Sequence, residues 1–245
     1  MRSDPTPSDD PAFDGDPAWR VKRSLPDGTV VTIRPITPED RDELRRAFES
    51  TSAQTRYLRF LAVMGDLTDE MLTYLTCVDQ KNHVALVATV TTPDLKTERG
   101  VGVARFIRLD DAPDAVEAAI TVVDDMQRKG IGRALGMELE RAARARGVRR
   151  MRAEVLNDNL MMRSILEAAG AKRLVASDGT TSYDLELGPE PMSRSDRLRH
   201  ILGGAAQTMA FTIRRLSPPA AALASAASAA AAARHHDAEG AKGKG

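Results

Sequence analysis

Cysteine, net charge and long apolar runs are all scarce in this chain of 245 residues. Cys77 is the single cysteine, so no internal disulfide can form and nothing points to an oxidising compartment. Lysine plus arginine total 35 and aspartate plus glutamate also total 35, which gives no general support to a nucleic-acid surface. The apolar stretches are far shorter than the roughly 20 residues that cross a bilayer, and the acidic, proline-rich amino terminus is unlike a signal peptide. We therefore expect a cytoplasmic protein without a membrane partner.

The composition that remains is typical of a globular protein, with 42% hydrophobic and 29% charged residues. Residues 1–24 are rich in Asp, Pro and Ser and predict a disordered tail, because they bury too little to offset chain entropy. Residues 25–189 predict one domain. Residues 190–245 become Ala- and Arg-rich and predict a partly helical appendage with a disordered end, in which His235 and His236 are too isolated to predict a metal site.

The apolar periodicity predicts a sheet with helices between its strands. The predicted strands lie at 29–33, 83–90, 100–109, 116–123, 149–155, 171–176 and 181–187. The predicted helices lie at 38–48, 52–62, 68–76, 132–146 and 159–168. The helix at 132–146 makes the two strands that it joins parallel, whereas the earlier strands form a meander. The fold class is therefore a mixed α/β arrangement, with a mostly antiparallel central sheet and helices on both faces.

The stretch Gln127-Arg128-Lys129-Gly130-Ile131-Gly132 joins an apolar strand to an amphipathic helix. Its glycines let the backbone approach a ligand, and the helix presents unpaired N–H groups and the positive end of its dipole, so the stretch predicts a pyrophosphate site. A Walker loop is excluded, because Gly132 is followed by Arg133 and not by lysine. A dinucleotide fingerprint needs a glycine where Leu135 stands, although Glu154 at the end of the next strand keeps that alternative open.

The hexapeptide matches the pattern Gln/Arg-x-x-Gly-x-Gly/Ala at every specified position. With its flanks from Gly100 to Leu174 it resembles the acyl-CoA loop of the GNAT superfamily of N-acetyltransferases, which implies a splayed acyl-CoA cleft and acetyl-CoA as co-substrate. In this resemblance the pyrophosphate lies on the backbone of 128–134, within reach of the Arg128 and Lys129 side chains, and the pantetheine arm pairs with the strand before it. The predicted cofactor-binding residues are Val122, Val123, Gln127, Arg128, Lys129, Gly130, Ile131, Gly132, Arg133, Ala134 and Asn159.

Glu117 is the predicted general base. The amine of a lysine has an unperturbed pKa of about 10.4 and arrives protonated, so a group or a water chain must take its proton. Glu117 lies in the otherwise apolar segment from Val116 to Ile120, where desolvation raises the pKa of a carboxyl group toward the working range. A glutamate at a strand edge facing solvent is the alternative. In GNAT enzymes that resemble this chain, a glutamate about this far before the loop often serves as base.

Asn159 and Leu166 belong to the helix that follows the next strand. Asn159 can cap that helix as any asparagine does, and the resemblance adds a contact with the cofactor. Many relatives carry a tyrosine seven residues later, which protonates the leaving thiolate, and here that position is Leu166. The thiolate then leaves unassisted or takes a proton from water, or the enzyme is impaired.

The segments 31–40, 56–60, 101–106 and 154–159 resemble the bacterial Pat-type protein-lysine acetyltransferases. The resemblance covers about residues 29–187 and implies direct attack of an amine on acetyl-CoA in a ternary complex, with protein lysine as the first acceptor. The helix predicted over 52–62 borders the acceptor side in this topology. A small-molecule amine acceptor and a non-catalytic CoA-binding regulator are the alternatives. The sequence predicts neither the acyl chain length nor the oligomeric state.

Overall fold

A single sheet of eight strands organises the part of the chain that the structure describes. The structure is a computed structural model, and it describes residues 12–53, 66–91, 97–168, 170–177 and 179–187. The strands are β1 Val21–Ser24, β2 Val30–Pro35, β3 His83–Thr91, β4 Glu98–Arg108, β5 Ala115–Val122, β6 Arg150–Leu156, β7 Lys172–Ser177 and β8 Thr180–Glu186. The α-helices are α1 Arg41–Ser50, α2 Asp69–Thr76, α3 Ile131–Ala145 and α4 Leu160–Ala168. Short 3-10 turns at Pro38–Asp40 and Asp124–Met126 precede α1 and α3.

The strand order is β1-β2-β3-β4-β5-β6-β8-β7. Every neighbouring pair is antiparallel except β5 and β6, which are joined by α3 and are parallel because a helical crossover returns the chain to the same end of the sheet. The predicted mixed, mostly antiparallel sheet is confirmed.

Helices cover both faces of the sheet, as predicted. On one face α3 buries Ile131, Leu135 and Leu139 at a spacing of four residues, which places all three on one side of the helix. The approach is close at Gly102 of β4, where a Cβ atom would lie 3.0 Å from Leu135 Cδ1. On the other face, Phe48 of α1 joins residues of α2 in a second apolar cluster. Neighbouring strand residues point to opposite faces, so β4 serves both clusters.

Residues 12–24 are ordered, although the composition predicted that they belong to a disordered tail. Phe13 is fully buried and Trp19 nearly so, and the two rings lie 5.4 Å apart. Arg146, just after α3, donates a hydrogen bond from Nη1 to the Phe13 carbonyl oxygen and lies over the Phe13 ring. The predicted disordered tail 1–24 is therefore wrong for residues 12–24, because two aromatic side chains provide burial that an average over a polar segment does not register.

Several predictions concern residues outside the described ranges. The helix predicted over 52–62 is described only at its first two residues, and the appendage predicted over 190–245 lies wholly outside. Within the described ranges, no helix combines the length and apolar character that crossing a membrane requires.

Candidate cofactor and catalytic site

A gap opens in the sheet between β5 and β6. The two strands pair only over Ala115–Glu117 and Arg150–Arg152. Beyond Glu117, β5 continues to Val122 in register with β4, and β6 continues to Leu156 in register with β8. β5 and β6 therefore separate from each other, while β5 stays paired with β4 and β6 stays paired with β8. The space between them is a cleft whose walls are extended backbone.

The backbone of β5 offers hydrogen-bonding groups to this gap at alternate residues. The Val123 N–H donates to the Val101 carbonyl oxygen at 3.1 Å, so the odd-numbered residues of β5 direct their backbone groups toward β4. Ile120 and Val122 therefore direct theirs toward the gap. The Val122 carbonyl oxygen accepts a hydrogen bond from Gln127 Nε2 at 3.2 Å.

The sequence also predicted that the Val123 backbone pairs with a ligand. In the structure, both backbone groups of Val123 are directed away from the gap. Its N–H is bonded to β4, and its carbonyl oxygen accepts from the Met126 N–H at 3.0 Å. The register between β4 and β5 is the reason, since it fixes which residues of β5 face the gap. The backbone positions that can pair with an extended ligand are therefore Ile120 and Val122.

The glycine loop before α3 contains two residues with an unusual backbone conformation. Arg128 and Gly130 both have left-handed backbone conformations, with φ of 62° and 96°. The first backbone hydrogen bond within the helix runs from the Ala134 N–H to the Gly130 carbonyl oxygen at 3.0 Å. The N–H groups of the preceding turn, which includes Ile131 and Gly132, thus have no acceptor within the helix.

The amino terminus of α3 lacks the negative charge that α1 and α2 carry in their first turns. α1 has Asp42 and Glu43 in its first turn, and α2 has Asp69 and Glu70, but the first turn of α3 has no acidic residue. Its N-cap, Gly130, has no side chain to accept a hydrogen bond. The helix dipole and the N–H groups therefore favour an anion from outside the helix.

The side chains of the predicted loop residues have different roles. Gln127 donates to Val122 and also to Asp124 Oδ1 at 3.0 Å, so it holds the loop against the end of β5. Ile131 and Ala134 are buried in the core, and only their backbone is available to a ligand. The side chain of Arg128 is exposed, whereas that of Lys129 is half-buried, with Nζ 3.7 Å from Met126 Sδ.

Glu117 lies where β5 and β6 separate. It is the last residue of β5 paired with β6, opposite Arg152, and its side chain is on the sheet face away from α3. Only 7% of the residue is exposed. The guanidinium of Arg152 is bonded to Asp184, with Nε 2.8 Å from Oδ1. A buried carboxyl group at the closed end of the gap is in position to meet a group that enters along β5.

Asn159 caps α4, as its sequence position predicted. Its Oδ1 accepts a hydrogen bond from the Met162 N–H at 3.1 Å. Leu166, the residue at the tyrosine position of many relatives, is buried in the core. Tyr183 of β8 is close in the fold but is also fully buried, and its hydroxyl donates to Glu167 Oε1 at 2.9 Å. Tyr183 therefore does not replace the tyrosine acid that many relatives have at the position of Leu166.

Residues 31–172, more than half of the chain, match the acetyltransferase (GNAT) domain family. The chain belongs to the GNAT acetyltransferases. It is therefore an acyltransferase that acetylates an amine with acetyl-CoA, and the predicted family, fold class and enzyme class are confirmed.

Among its relatives, this GNAT chain is 33% identical over 147 residues to acetyltransferase PA5475 of Pseudomonas aeruginosa, covering 60% of this chain and 77% of the relative. It is 33% identical over 161 residues to acetyltransferase Pat of Mycolicibacterium smegmatis, covering 64% of this chain but only 46% of Pat. The solved GNAT domain of S. lividans PAT superposes with a TM-score of 0.62 at 29% identity, covering 69% of this chain and 97% of that domain. The similarity to Pat thus concerns less than half of that protein.

Two features of this GNAT domain were missed from the sequence. Asp124, directly after β5, accepts hydrogen bonds from the Ser52 N–H and from Gln127, and so joins the loop to the segment after α1. Arg105 of β4 lies buried beside a cavity on the face away from α3. The signal for Arg105 was a lone cation within the apolar run from Val101 to Ile107.

Proposed function

We propose that this GNAT enzyme acetylates lysine side chains of proteins. The observation that carries the proposal is a backbone-lined gap with an anion-binding helix terminus at its open end and a buried glutamate at its closed end. Its similarity to Pat of M. smegmatis and to the S. lividans PAT domain supports a protein acceptor.

The loop and β5 would hold acetyl-CoA. The pyrophosphate would accept hydrogen bonds from backbone N–H groups of 128–134, with Arg128 and Lys129 adding positive charge. The pantetheine arm would lie along β5 and pair with the Ile120 and Val122 backbone as an added strand does. Asn159, whose Oδ1 is committed to the cap of α4, would contact the cofactor with its amide group.

Glu117 would act on the acceptor. The lysine ammonium loses a proton to the Glu117 carboxylate, directly or through one water, and the neutral nitrogen attacks the thioester carbon. The new C–N bond forms as the C–S bond breaks, the electron pair of that bond leaves with sulfur, and the nitrogen releases its second proton to water to give the amide. Since a thiol has an unperturbed pKa of only about 8.5, the thiolate can leave without an acid at the Leu166 position and take its proton from water.

Labelled acetyl-CoA tests the acceptor class. The pure protein is incubated with it in three parallel reactions, which contain a protein fraction freed of small molecules, a mixture of polyamines, and a mixture of amino sugars. We expect label on protein bands and acetyl-lysine in their tryptic peptides. Label confined to the small amines would instead identify a small-molecule acetyltransferase. Omission of the enzyme controls for chemical acetylation.

A further inference from the structure

A cavity of about 360 Å³ lies on the sheet face away from α3, beneath α1 and α2. Its walls are largely apolar, with Leu44, Phe48, Leu75, Val87, Val103 and Val123 among the lining residues. The volume is within the range of small-molecule sites. Room exists over this part of the sheet because Arg105 is flanked across the strands by Ala85 and Ala119, two small side chains.

Arg105 places a positive charge inside this apolar cavity. Only 2% of the residue is exposed. Its Nη1 lies 3.2 Å from His83 Nε2, and its Nη2 donates to the Leu75 carbonyl oxygen at 3.3 Å. Burial lowers the pKa of the guanidinium to about 10, so the group remains charged at neutral pH. Within the described ranges it has no carboxylate partner, although a buried charge is costly without one.

Two buried donors on residues that line the cavity have no protein acceptor. These are Arg105 Nε and the Thr121 hydroxyl, which are the buried side-chain atoms without a hydrogen-bond partner in the described part of the chain. Arg105 pairs with Ala119 and Thr121 pairs with Val103, so the two residues are diagonal neighbours on one face, with Cα atoms roughly 7–8 Å apart. The two donors therefore lie on neighbouring positions of one sheet face, where the two oxygens of one carboxylate group could accept from both.

The carboxylates around the cavity are already bonded to other groups. Asp40 accepts hydrogen bonds from Arg34 and from the Thr37 N–H, and Arg34 also reaches Glu98. Glu43 is bonded to Arg46 and to the Gly100 N–H. The remaining one, Glu39, is exposed at the rim. These carboxylates therefore do not balance the charge of the buried Arg105 guanidinium. The inner end of the cavity favours a negatively charged ligand.

We propose that this cavity binds a small carboxylate with an apolar body, whose carboxylate group accepts hydrogen bonds from Arg105 Nε and the Thr121 hydroxyl. The carboxylate has two sources. It is either a free acid or the end of the acyl chain of a carboxyacyl-CoA, because β5 presents Thr121 to the cavity and the Ile120 and Val122 backbone to the gap. The free acid is independent of the proposed function, whereas the acyl source rests on it.

Calorimetry on the full chain tests both sources. In the first arm, butanoate is compared with its neutral counterpart butanamide, with no CoA present. In the second arm, succinyl-CoA is compared with butyryl-CoA, which lacks the terminal carboxylate. We expect the carboxylate to bind at least about tenfold more tightly than its neutral counterpart in one arm, the advantage of one hydrogen bond to a charged group. The arm that shows the preference identifies the source.

Thr121→Val and Thr89→Val form a matched pair of variants. Both residues line the cavity and are largely buried, but the Thr89 hydroxyl has a backbone acceptor in Thr32 O at 3.5 Å. Thr121→Val removes a hydroxyl that has no partner, so it should leave the melting temperature unchanged or raised while weakening carboxylate binding about tenfold. Thr89→Val should leave that binding unchanged. Equal binding of the carboxylate and its neutral counterpart in both arms overturns the proposal, as does an unaltered affinity in Thr121→Val, because solvent alone would then satisfy Arg105 and Thr121.

Discussion

The Ser52 backbone N–H donates a hydrogen bond to Asp124 Oδ2 at 2.5 Å, across 72 positions of sequence. Asp124 Oδ1 accepts from the Gln127 side-chain amide. One carboxylate thus binds both the entrance of the glycine loop and the segment that follows α1. The sequence predicts that the segment after Ser52 borders the acceptor side, so we expect Asp124 to link that side to the cofactor loop.

Asp124→Ala should weaken acceptor use more than cofactor binding. Without the carboxylate, the Ser52 N–H loses a hydrogen bond to a charged group, and such a bond contributes about 1.5–3 kcal/mol. The kcat/KM for the amine substrate should therefore fall about tenfold or more. The matched control is Asp125→Ala, which breaks only the exposed ion pair with Arg99 and should change kcat/KM less than about threefold. Equal effects of the two variants on steady-state kinetics would contradict this role of Asp124.

Glu117→Gln should abolish most of the chemical step. Loss of a general base typically lowers the rate about 100- to 10,000-fold, and CoA affinity should stay unchanged because the loop is untouched. Glu154→Gln is the comparison, since Glu154 is another buried glutamate on the same face of the sheet. Single-turnover rates with both variants locate the base, and a loss of rate in Glu154→Gln alone would assign it to Glu154.

Gly130→Ala should reduce CoA affinity as well as stability. Its φ of 96° disfavours any side chain, and a Cβ there would lie 3.3 Å from Pro26 Cδ, so the loop must move. Gly147, after the other end of α3, has a φ of 72° and open space around its Cβ position. Both alanine variants should lose about 1–2 kcal/mol of unfolding free energy, but only Gly130→Ala should weaken CoA binding, by about tenfold. Urea unfolding and calorimetry measure the two effects, and equal CoA affinities in both variants would contradict the loop's role.

His83 should make the fold sensitive to mild acid. Burial and the neighbouring Arg105 hold the pKa of His83 well below its usual 6.5. Above pH 6.5 the histidine is neutral in both the folded and the unfolded chain. As the pH falls below 6.5, the unfolded chain binds a proton that the folded chain refuses, so stability falls by up to about 1.4 kcal/mol per pH unit.

His83→Gln removes that titration and retains an oxygen that can accept from Arg105. Urea unfolding between pH 8 and pH 5 should show a smaller loss of stability in the variant than in the parent chain. Parallel curves for the two proteins would show that His83 is protonated in the folded state.

Much of the cofactor site was predictable because it is local in sequence. The glycine at 130 marks a left-handed backbone, and the strand and helix on either side of the loop follow from short-range periodicity. The burial of Glu117 also followed from its apolar neighbours. Each of these properties depends on residues within about one turn or one strand of the position concerned.

The missed features depend on which distant residues become neighbours. Val123 is directed toward β4 by its register with Val101, which no pattern within β5 determines. Phe13 is part of the apolar core and contacts Arg146, a residue 133 positions away in sequence. The cavity beside Arg105 is lined by residues of α1, α2 and four strands that are far apart in sequence, which is a tertiary property.

A crystal structure of this enzyme with bound CoA is the most direct test of the acetyltransferase site. We expect the pyrophosphate oxygens within about 2.7–3.2 Å of backbone nitrogens in 128–134, the pantetheine arm alongside Ile120 and Val122, and the sulfur toward the closed end of the gap, near the Glu117 side chain. Density for CoA elsewhere on the molecule, with the β5–β6 gap unoccupied, would contradict the site.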